Sequence, residues 1–127
     1  MYEYVLSVKN WGRTSGHVIS VYSEPKIVNR LDDLPREPEY SAGGLKDVRF
    51  LAPQESWEFD SYNPSEILSK EQWDEIHGGK KKLIYYGVTT YRDIFKEDTH
   101  YSRFCYTYSS SLGFFILLGP PGYNKYT

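Results

Sequence analysis

Residues 83–95, which read LIYYGVTTYRDIF, decide the fold class of this chain. The stretch is dense in β-branched and aromatic residues, and these favour strands over helices. A polar turn follows, and residues 100–109 (HYSRFCYTYS) then resume the pattern, with Phe104, Tyr106 and Tyr108 on one face. The two stretches are therefore predicted to be neighbouring antiparallel strands.

Alternating or continuous apolar residues outside this region predict five more short strands, at residues 2–8, 17–22, 48–51, 56–60 and 114–118. The second of these is predicted to end before Pro25, because proline cannot donate a hydrogen bond within a sheet. The turn-rich residues between the first two strands predict that they pair as a hairpin.

One short helix has a clear signature. Ser69 followed by Gln72 is a capping box, and Gly78-Gly79 supplies a left-handed stop. Trp73 and Ile76 lie three residues apart, so they share the face that is predicted to dock on the sheet.

Seven short strands and one small helix predict a single domain over residues 1–127, with residues 119–127 as a C-terminal tail. The predicted fold is all-β and mainly antiparallel, an immunoglobulin-like β-sandwich with one short helix. A small Greek-key barrel is the alternative.

Residues 29–44 are predicted to form a long irregular loop, rich in proline and in acidic residues. A loop of this length is uncommon in a compact domain and usually serves a function or is mobile. The loop is therefore predicted to be a contact surface for a protein partner, with Asp32, Asp33, Glu37 and Tyr40 as candidate binding residues.

Charge and apolar runs exclude some partners. With 15 Lys and Arg against 17 Asp and Glu, the net charge is -2, which gives no general attraction to nucleic acid or anionic membranes. Lys80–Lys82 and the aromatic strand after it suggest a nucleic-acid platform, but the match to a known RNA-binding signature fails. The longest apolar run, residues 114–118, is too short to enter a bilayer as a helix.

The single cysteine, Cys105, cannot form an internal disulfide, and residues 1–4 do not resemble the start of a signal peptide. A cytoplasmic location is predicted. Cys105 lies in the middle of a predicted strand, where a buried and inert thiol is expected.

Known catalytic and metal-binding patterns are not found in the sequence. There is no G-x-S-x-G elbow and no Walker loop, and the three histidines and Cys105 lack the spacing of metal ligands. The chain is therefore predicted not to be an enzyme and to use no metal or cofactor.

The most organised group of polar residues is Tyr91, Asp93, His100 and Arg103. A tight turn between the two long strands predicts that Asp93 lies opposite Ser102, diagonal to His100 and Arg103. One interpretation is an Asp93–Arg103 ion pair that fixes the register of the hairpin. The other is a small polar binding site at the end of the hairpin.

At these residues the chain resembles an uncharacterised family of bacterial proteins, through Tyr91, Asp93, Phe95, His100, Arg103 and Phe104 in the pattern Y-x-D-x-F…H-x-x-R-F. Asn10-Trp11-Gly12 with Thr14, Leu68 to Gln72, and Gly122 to Asn124 are also similar to that family. The resemblance implies a β-sandwich domain, often membrane-tethered in the family, and it implies no activity.

Two functions remain open. The first is a non-enzymatic protein-interaction module, one form of which is a mobile-element inhibitor of a host complex. The 13 tyrosines exceed what so small a core is expected to hide, which predicts an accessible patch drawn from Tyr40, Tyr62, Tyr101, Tyr123 and Tyr126. The alternative is a small-molecule binder or hydrolase, which requires a concave pocket with converging polar groups.

Overall fold

Seven strands form two antiparallel sheets in the computed structural model, which describes residues 4–40, 45–95 and 98–127. The strands are β1 (Tyr4–Lys9), β2 (Gly16–Val28), β3 (Leu45–Leu51), β4 (Ser56–Tyr62), β5 (Lys82–Asp93), β6 (Thr99–Ser109) and β7 (Phe114–Leu117). The helices are α1 (Pro64–Ile67) and α2 (Lys70–His77), with single 3-10 turns at Leu31–Asp33 and Pro121–Tyr123. One sheet has the order β3-β2-β5-β6-β7 and the other consists of β1 and β4. The predicted antiparallel β-sandwich is confirmed.

β5 is the central strand of the larger sheet and is buried on both faces. Leu83, Ile84, Tyr85 and Tyr86 are each at most 5% exposed. Because successive side chains of a strand point to opposite faces, both faces of the sheet must be covered.

The first face, which carries Leu83 and Tyr85, is covered by the smaller sheet and by α2. Leu83 and Tyr85 pack with Ile76 of α2 in one core cluster. A polar contact joins the two sheets, since Asp60 of β4 accepts hydrogen bonds from the Tyr85 hydroxyl (2.5 Å) and the Ser23 hydroxyl (2.8 Å).

The second face, which carries Ile84 and Tyr86, is covered by irregular chain. Leu34 of the long loop and Tyr123 near the C-terminus pack with them and with Cys105. Tyr123 is only 2% exposed. The segments that were expected to be a free loop and a tail therefore form part of the core.

The prediction of a C-terminal tail is wrong. The Arg103 amide donates to the Lys125 carbonyl (2.7 Å), and the Thr127 amide donates to the Tyr101 carbonyl (2.9 Å). β7 pairs with the other half of β6, so these last residues continue along the same edge of that strand. Residues 125–127 are too few to show a strand-like alternation of apolar residues, so the sequence does not predict their pairing. They pair with the part of the β6 edge that β7 leaves open.

The predicted hairpin between the first two strands is also wrong, because β1 pairs with β4 instead, from Tyr4 opposite Tyr62 to Lys9 opposite Ser56. The connection from β1 to β2 crosses between the two sheets. Asn10 holds this crossing, since its side-chain amide donates to the carbonyls of Thr14 (2.8 Å) and Leu51 (3.0 Å).

β2 continues through Pro25, which lies opposite Tyr85 of β5. The described pairing of β2 with β3 stops at Val21. Pro25 therefore lies where β2 is hydrogen-bonded on one side, a position that tolerates a missing N–H.

β5 and β6 are neighbours as predicted, but their register is shifted. Tyr91 lies opposite His100 and Val88 opposite Arg103, whereas the prediction placed Asp93 opposite Ser102. The difference is four residues along β5, because the connection is longer than the assumed tight turn. An even shift keeps every side chain on its predicted face, since the period of a strand is two.

The capping box of α2 is confirmed, with the Ser69 hydroxyl accepting from the Gln72 amide (3.2 Å) and Gln72 Oε1 accepting from the Ser69 amide (2.9 Å). Ile76 is buried, as its position on the helix predicts. The single turn α1 was not predicted, although Pro64 at its first position is a usual start signal.

Gly87 of β5 lies opposite Phe104, whose ring occupies the space beside the glycine. A Cβ at Gly87 would lie 2.6 Å from Phe104 Cζ and 2.9 Å from Ser23 Cα, and closer still to the Tyr22 carbonyl oxygen. We expect Gly87→Ala to lower the free energy of unfolding by about 2 kcal/mol or more, as measured by urea denaturation.

Gly16→Ala is the matched control. Its Cβ would meet no atom closer than 3.8 Å, so a loss below about 0.5 kcal/mol is expected. Equal losses for the two variants would contradict the close packing at Gly87.

Candidate functional site

An open cleft of about 1050 Å³ lies between the two sheets, along the side of β1 that faces away from β4. All six residues of β1 line the cleft, whereas Phe59 is the one residue with a described side chain in β4 that does so. The connection that follows β1 extends the same wall through Trp11 and Thr14. We refer to this space as the β1 cleft.

The floor of the β1 cleft is the first face of β5 and β6. It consists of alternate residues of the two strands: Tyr85, Thr89, Tyr91 and Asp93 from β5, and His100, Ser102, Phe104 and Tyr106 from β6. These residues form cross-strand pairs, with Tyr85 opposite Tyr106, Thr89 opposite Ser102 and Tyr91 opposite His100. The observed register of β5 on β6 therefore places a ladder of paired side chains under the cleft.

The polarity of the floor changes along its length. The rings of Phe104 and Tyr106 pack at a tilt at one end, with centroids 5.9 Å apart, and Phe115 adds a further ring there. Thr89 and Ser102 lie in the middle. Polar groups lie at the other end, so the cleft is apolar at one end and hydrogen-bonding at the other.

Three of the predicted site residues meet at the polar end. The rings of Tyr91 and His100 are 5.7 Å apart. Asp93 accepts hydrogen bonds from the Thr14 hydroxyl (3.2 Å) and from the Phe95 amide (2.8 Å). The Asp93 carboxylate thus joins the end of β5 to the connection between β1 and β2.

Arg103 does not belong to this group, and the predicted Asp93–Arg103 ion pair is wrong. Arg103 lies on the opposite face of the sheet, where its guanidinium contacts Glu37 (2.8 Å) and donates to the Gly122 carbonyl (3.2 Å). This contact ties the long loop and the C-terminal segment to β6.

The loop residues of the predicted contact surface have separate positions. Asp32 and Asp33 are exposed, and Asp33 accepts a hydrogen bond from the Arg30 amide (3.1 Å). Tyr40 is half-buried against Tyr22 (5.2 Å between centroids) and donates to the Gly87 carbonyl (3.3 Å). Residues 41–44 lie outside the described residues.

The tyrosines do not form the expected accessible patch. Tyr123 is buried, Tyr40 and Tyr101 are half-buried, and of the tyrosines with described side chains only Tyr126 is exposed. The Tyr62 side chain lies outside the described part of the chain. The excess of tyrosine instead goes into the core and into the floor of the β1 cleft.

A chain of tyrosine rings holds the long loop on the second face. Tyr40 and Tyr86 are 5.9 Å apart, and Tyr86 and Tyr123 are 5.8 Å apart. The Tyr86 hydroxyl donates to the Glu24 carboxylate and to the Glu39 carbonyl. Burial, and then the hydrogen bond and charge of Glu24, raise the pKa of Tyr86, while burial raises the pKa of Tyr40 to about 12.

Cys105 packs beneath these rings and is fully buried. Burial raises the pKa of its thiol to about 11, so the reactive thiolate is disfavoured at neutral pH. Within the described ranges, no three His, Cys, Asp or Glu side chains are grouped closely enough to hold a metal ion.

Sequence reasoning missed most of the cleft. The wall residues of β1 were assigned to a hairpin, and Thr89 and Ser102 were not singled out, whereas Phe104 and Tyr106 were placed together on one face. The alternation of the two strands would have placed Thr89 and Ser102 on that face too, but it does not show that the smaller sheet is narrow enough to leave a cleft beside β1.

Comparisons of the chain with protein-family models, with curated proteins and with solved structures each find no match. The described residues contain no helix with the length and apolar character needed to cross a bilayer.

Because Leu34 is buried against Ile84 and Cys105, we expect Leu34→Ala to lower the free energy of unfolding by about 2–4 kcal/mol. Chemical denaturation measures this loss. Asp32 is exposed in the same loop, so Asp32→Ala should change the free energy of unfolding by less than about 0.5 kcal/mol. A Leu34→Ala protein as stable as the wild type would mean that the loop does not complete the core.

The tyrosine chain also predicts a pH dependence. Unfolded tyrosine has a pKa of 10.0, whereas folded Tyr40 has a pKa of about 12, so the unfolded state loses protons first as the pH rises. The contribution of Tyr40 to stability should be constant below about pH 10 and be lost between about pH 10 and 12. Tyr40→Phe should make this fall shallower in denaturation midpoints measured across the range, and an unchanged slope would contradict the burial of the Tyr40 hydroxyl.

Proposed function

We propose that this chain is a non-enzymatic protein-interaction module that receives part of its partner in the β1 cleft. The observation that carries the proposal is the open, aromatic-floored cleft along β1. Aromatic residues are enriched where proteins bind each other, because they offer a large contact area.

The size and shape of the cleft favour a macromolecular partner. Pockets for small molecules are concave, bury most of the ligand and measure about 300–1000 Å³. The β1 cleft is at the upper end of that range and is open along its length, with Tyr126 80% exposed beside it. A segment of a protein can occupy such a site while remaining part of a larger surface.

The polar end supports binding rather than catalysis. Both oxygens of Asp93 accept hydrogen bonds from the chain itself, and His100 Nδ1 lies 3.5 Å from Thr127 Oγ1. Neither group is directed at the other as an acid–base pair. The buried, protonated thiol of Cys105 is no nucleophile in this arrangement.

The remaining parts of the proposal rest on the sequence. The net charge of -2 disfavours nucleic acid as the partner, and a single cysteine suits a reducing cytoplasm. We also propose that the chain is related to the bacterial family that it resembles. One form of the proposed module is a mobile-element protein that inhibits a host complex by binding to it.

A second candidate function is the binding of a small polar molecule. Tyr91, Asp93 and His100 meet at one end of the cleft, and this grouping favours it. The two functions differ in how much of the floor is used, because a small ligand at the polar end leaves Phe104 and Tyr106 uncovered.

The test is to fill the middle of the floor. Ser102→Tyr places a ring between the two ends of the cleft, and Ser110→Tyr, in an exposed turn outside the cleft, is the matched control. Wild type and both variants are immobilised and exposed to an extract of the source organism. We expect a protein that is retained by the wild type and by Ser110→Tyr and lost with Ser102→Tyr.

The retained protein is then purified and titrated calorimetrically against the same three chains, and a Kd at least about tenfold weaker for Ser102→Tyr is expected. Equal binding by Ser102→Tyr would exclude the cleft as the contact site. Native mass spectrometry that finds a bound small molecule in place of a protein would favour the second candidate.

A further inference from the structure

We infer that the β1 cleft accepts an extended strand of the partner, which pairs with the free edge of β1 and lays alternate side chains on the floor. This inference rests on the proposed function and names the form of the partner. It begins from the difference in width between the two sheets, since two strands cover one face of a sheet of five.

Within the described residues, β4 is the one strand that pairs with the main chain of β1, and the Tyr4 hydroxyl donates to the Gly113 carbonyl at the first end of the strand. Its other edge runs along the cleft, as the lining by Val5 to Lys9 shows. In an antiparallel edge strand alternate residues direct their N–H and C=O groups away from the partner strand. An incoming strand would therefore find a row of main-chain donors and acceptors.

The dimensions of the cleft fit one added strand. Neighbouring strands lie about 4.8 Å apart, and stacked sheets lie about 10 Å apart. A strand beside β1 would thus occupy the layer above the paired residues of β5 and β6. The five residues from Val5 to Lys9 would match an added strand about 17 Å long.

The floor specifies which side chains that strand carries. Phe104 and Tyr106 at one end would take apolar side chains, and the half-buried Ser102 in the middle, opposite the buried Thr89, would take a small residue. At the other end, beside His100, the Tyr91 hydroxyl already donates to the Thr127 carbonyl (3.2 Å) and would accept a hydrogen bond from a polar side chain. Since the period of a strand is two, these positions are every second residue, and the residues between them face solvent.

β7 provides a comparison within the same chain. It is also an edge strand, at the end of the larger sheet, and its residues Phe114 and Leu117 are 52% and 62% exposed. Phe115 is the one residue of β7 in the lining of the cleft, whereas all of β1 lines it. Binding directed by the cleft should therefore select β1 over β7.

The test uses a phage-displayed library of random peptides about nine residues long, enough to span β1 with flanking residues. The full chain is the bait, and the Ser102→Tyr chain is the counter-selection. We expect enriched peptides to carry apolar residues at alternate positions at one end and a polar residue in the same phase at the other.

One enriched peptide is then synthesised and added to the chain while amide hydrogen exchange is followed. We expect slower exchange at alternate amides of residues 5–9 and unchanged exchange at residues 114–117. N-methylation of alternate peptide residues should weaken binding about tenfold where the N–H pairs with β1 and leave it unchanged at the residues between.

The inference is overturned if no peptide is enriched over the Ser102→Tyr chain, if protection appears at β7, or if N-methylation has the same effect at every position. The proposed function would survive these outcomes if a folded protein still requires the open cleft in the extract experiment. Conversely, peptide binding at β1 without a protein partner from the extract would leave strand addition intact and remove the proposed function.

Discussion

The burial of β5 on both faces is the constraint on which the rest of this structure depends. Leu83 and Tyr85 face one way and Ile84 and Tyr86 the other, and all four are nearly inaccessible to water. One face can be covered by regular structure, because β4 and α2 carry apolar residues at the right spacing. The other is covered by chain without strands, and a buried loop needs partners for its polar groups. Tyrosine suits that task, since its ring fills space while its hydroxyl hydrogen-bonds to Glu24, the Glu39 carbonyl or the Gly87 carbonyl.

Local patterns were sufficient to predict the elements. The Ser69–Gln72 capping box involves residues three apart, and the composition of residues 83–95 reports directly on a strand, so both predictions are confirmed. The partners of the strands could not be predicted in the same way. β1 pairs with β4 more than 45 residues away, by a crossing that depends on the Asn10 side chain and on a carbonyl of Leu51. The register of β5 on β6 depended on the length of a turn. The Asp93–Arg103 pair fails for another reason, because the two residues lie on opposite faces of the sheet in either register.

The candidate site shows the same division between local and distant information. Tyr91, Asp93 and His100 were identified because they are close in sequence on two adjacent strands, and the structure brings them to one end of the cleft. Arg103 was identified in the same group, and Glu37 as part of the long loop, but these two contact each other on the opposite face. The cleft exists because the smaller sheet has only two strands. The number of strands in a sheet depends on which strands pair, and local residue patterns do not predict this. The tyrosine count was correctly seen as unusual, but its explanation lies in the covering of β5.

The pairing of β2 with β5 has a consequence for synthesis of the chain. Gly16 lies opposite Asp93 and Val28 opposite Lys82. These two neighbouring strands are far apart in the sequence, because β3, β4 and both helices lie between them. While the ribosome adds the first 81 residues, β2 has β3 as a neighbour and its other edge lacks the strand that buries it. Contacts between distant residues form slowly and leave strand edges exposed in the meantime. β2 therefore gains its second neighbouring strand only after residue 93 has emerged, and a nascent chain that stalls before that point presents an unpaired edge of β2 to chaperones.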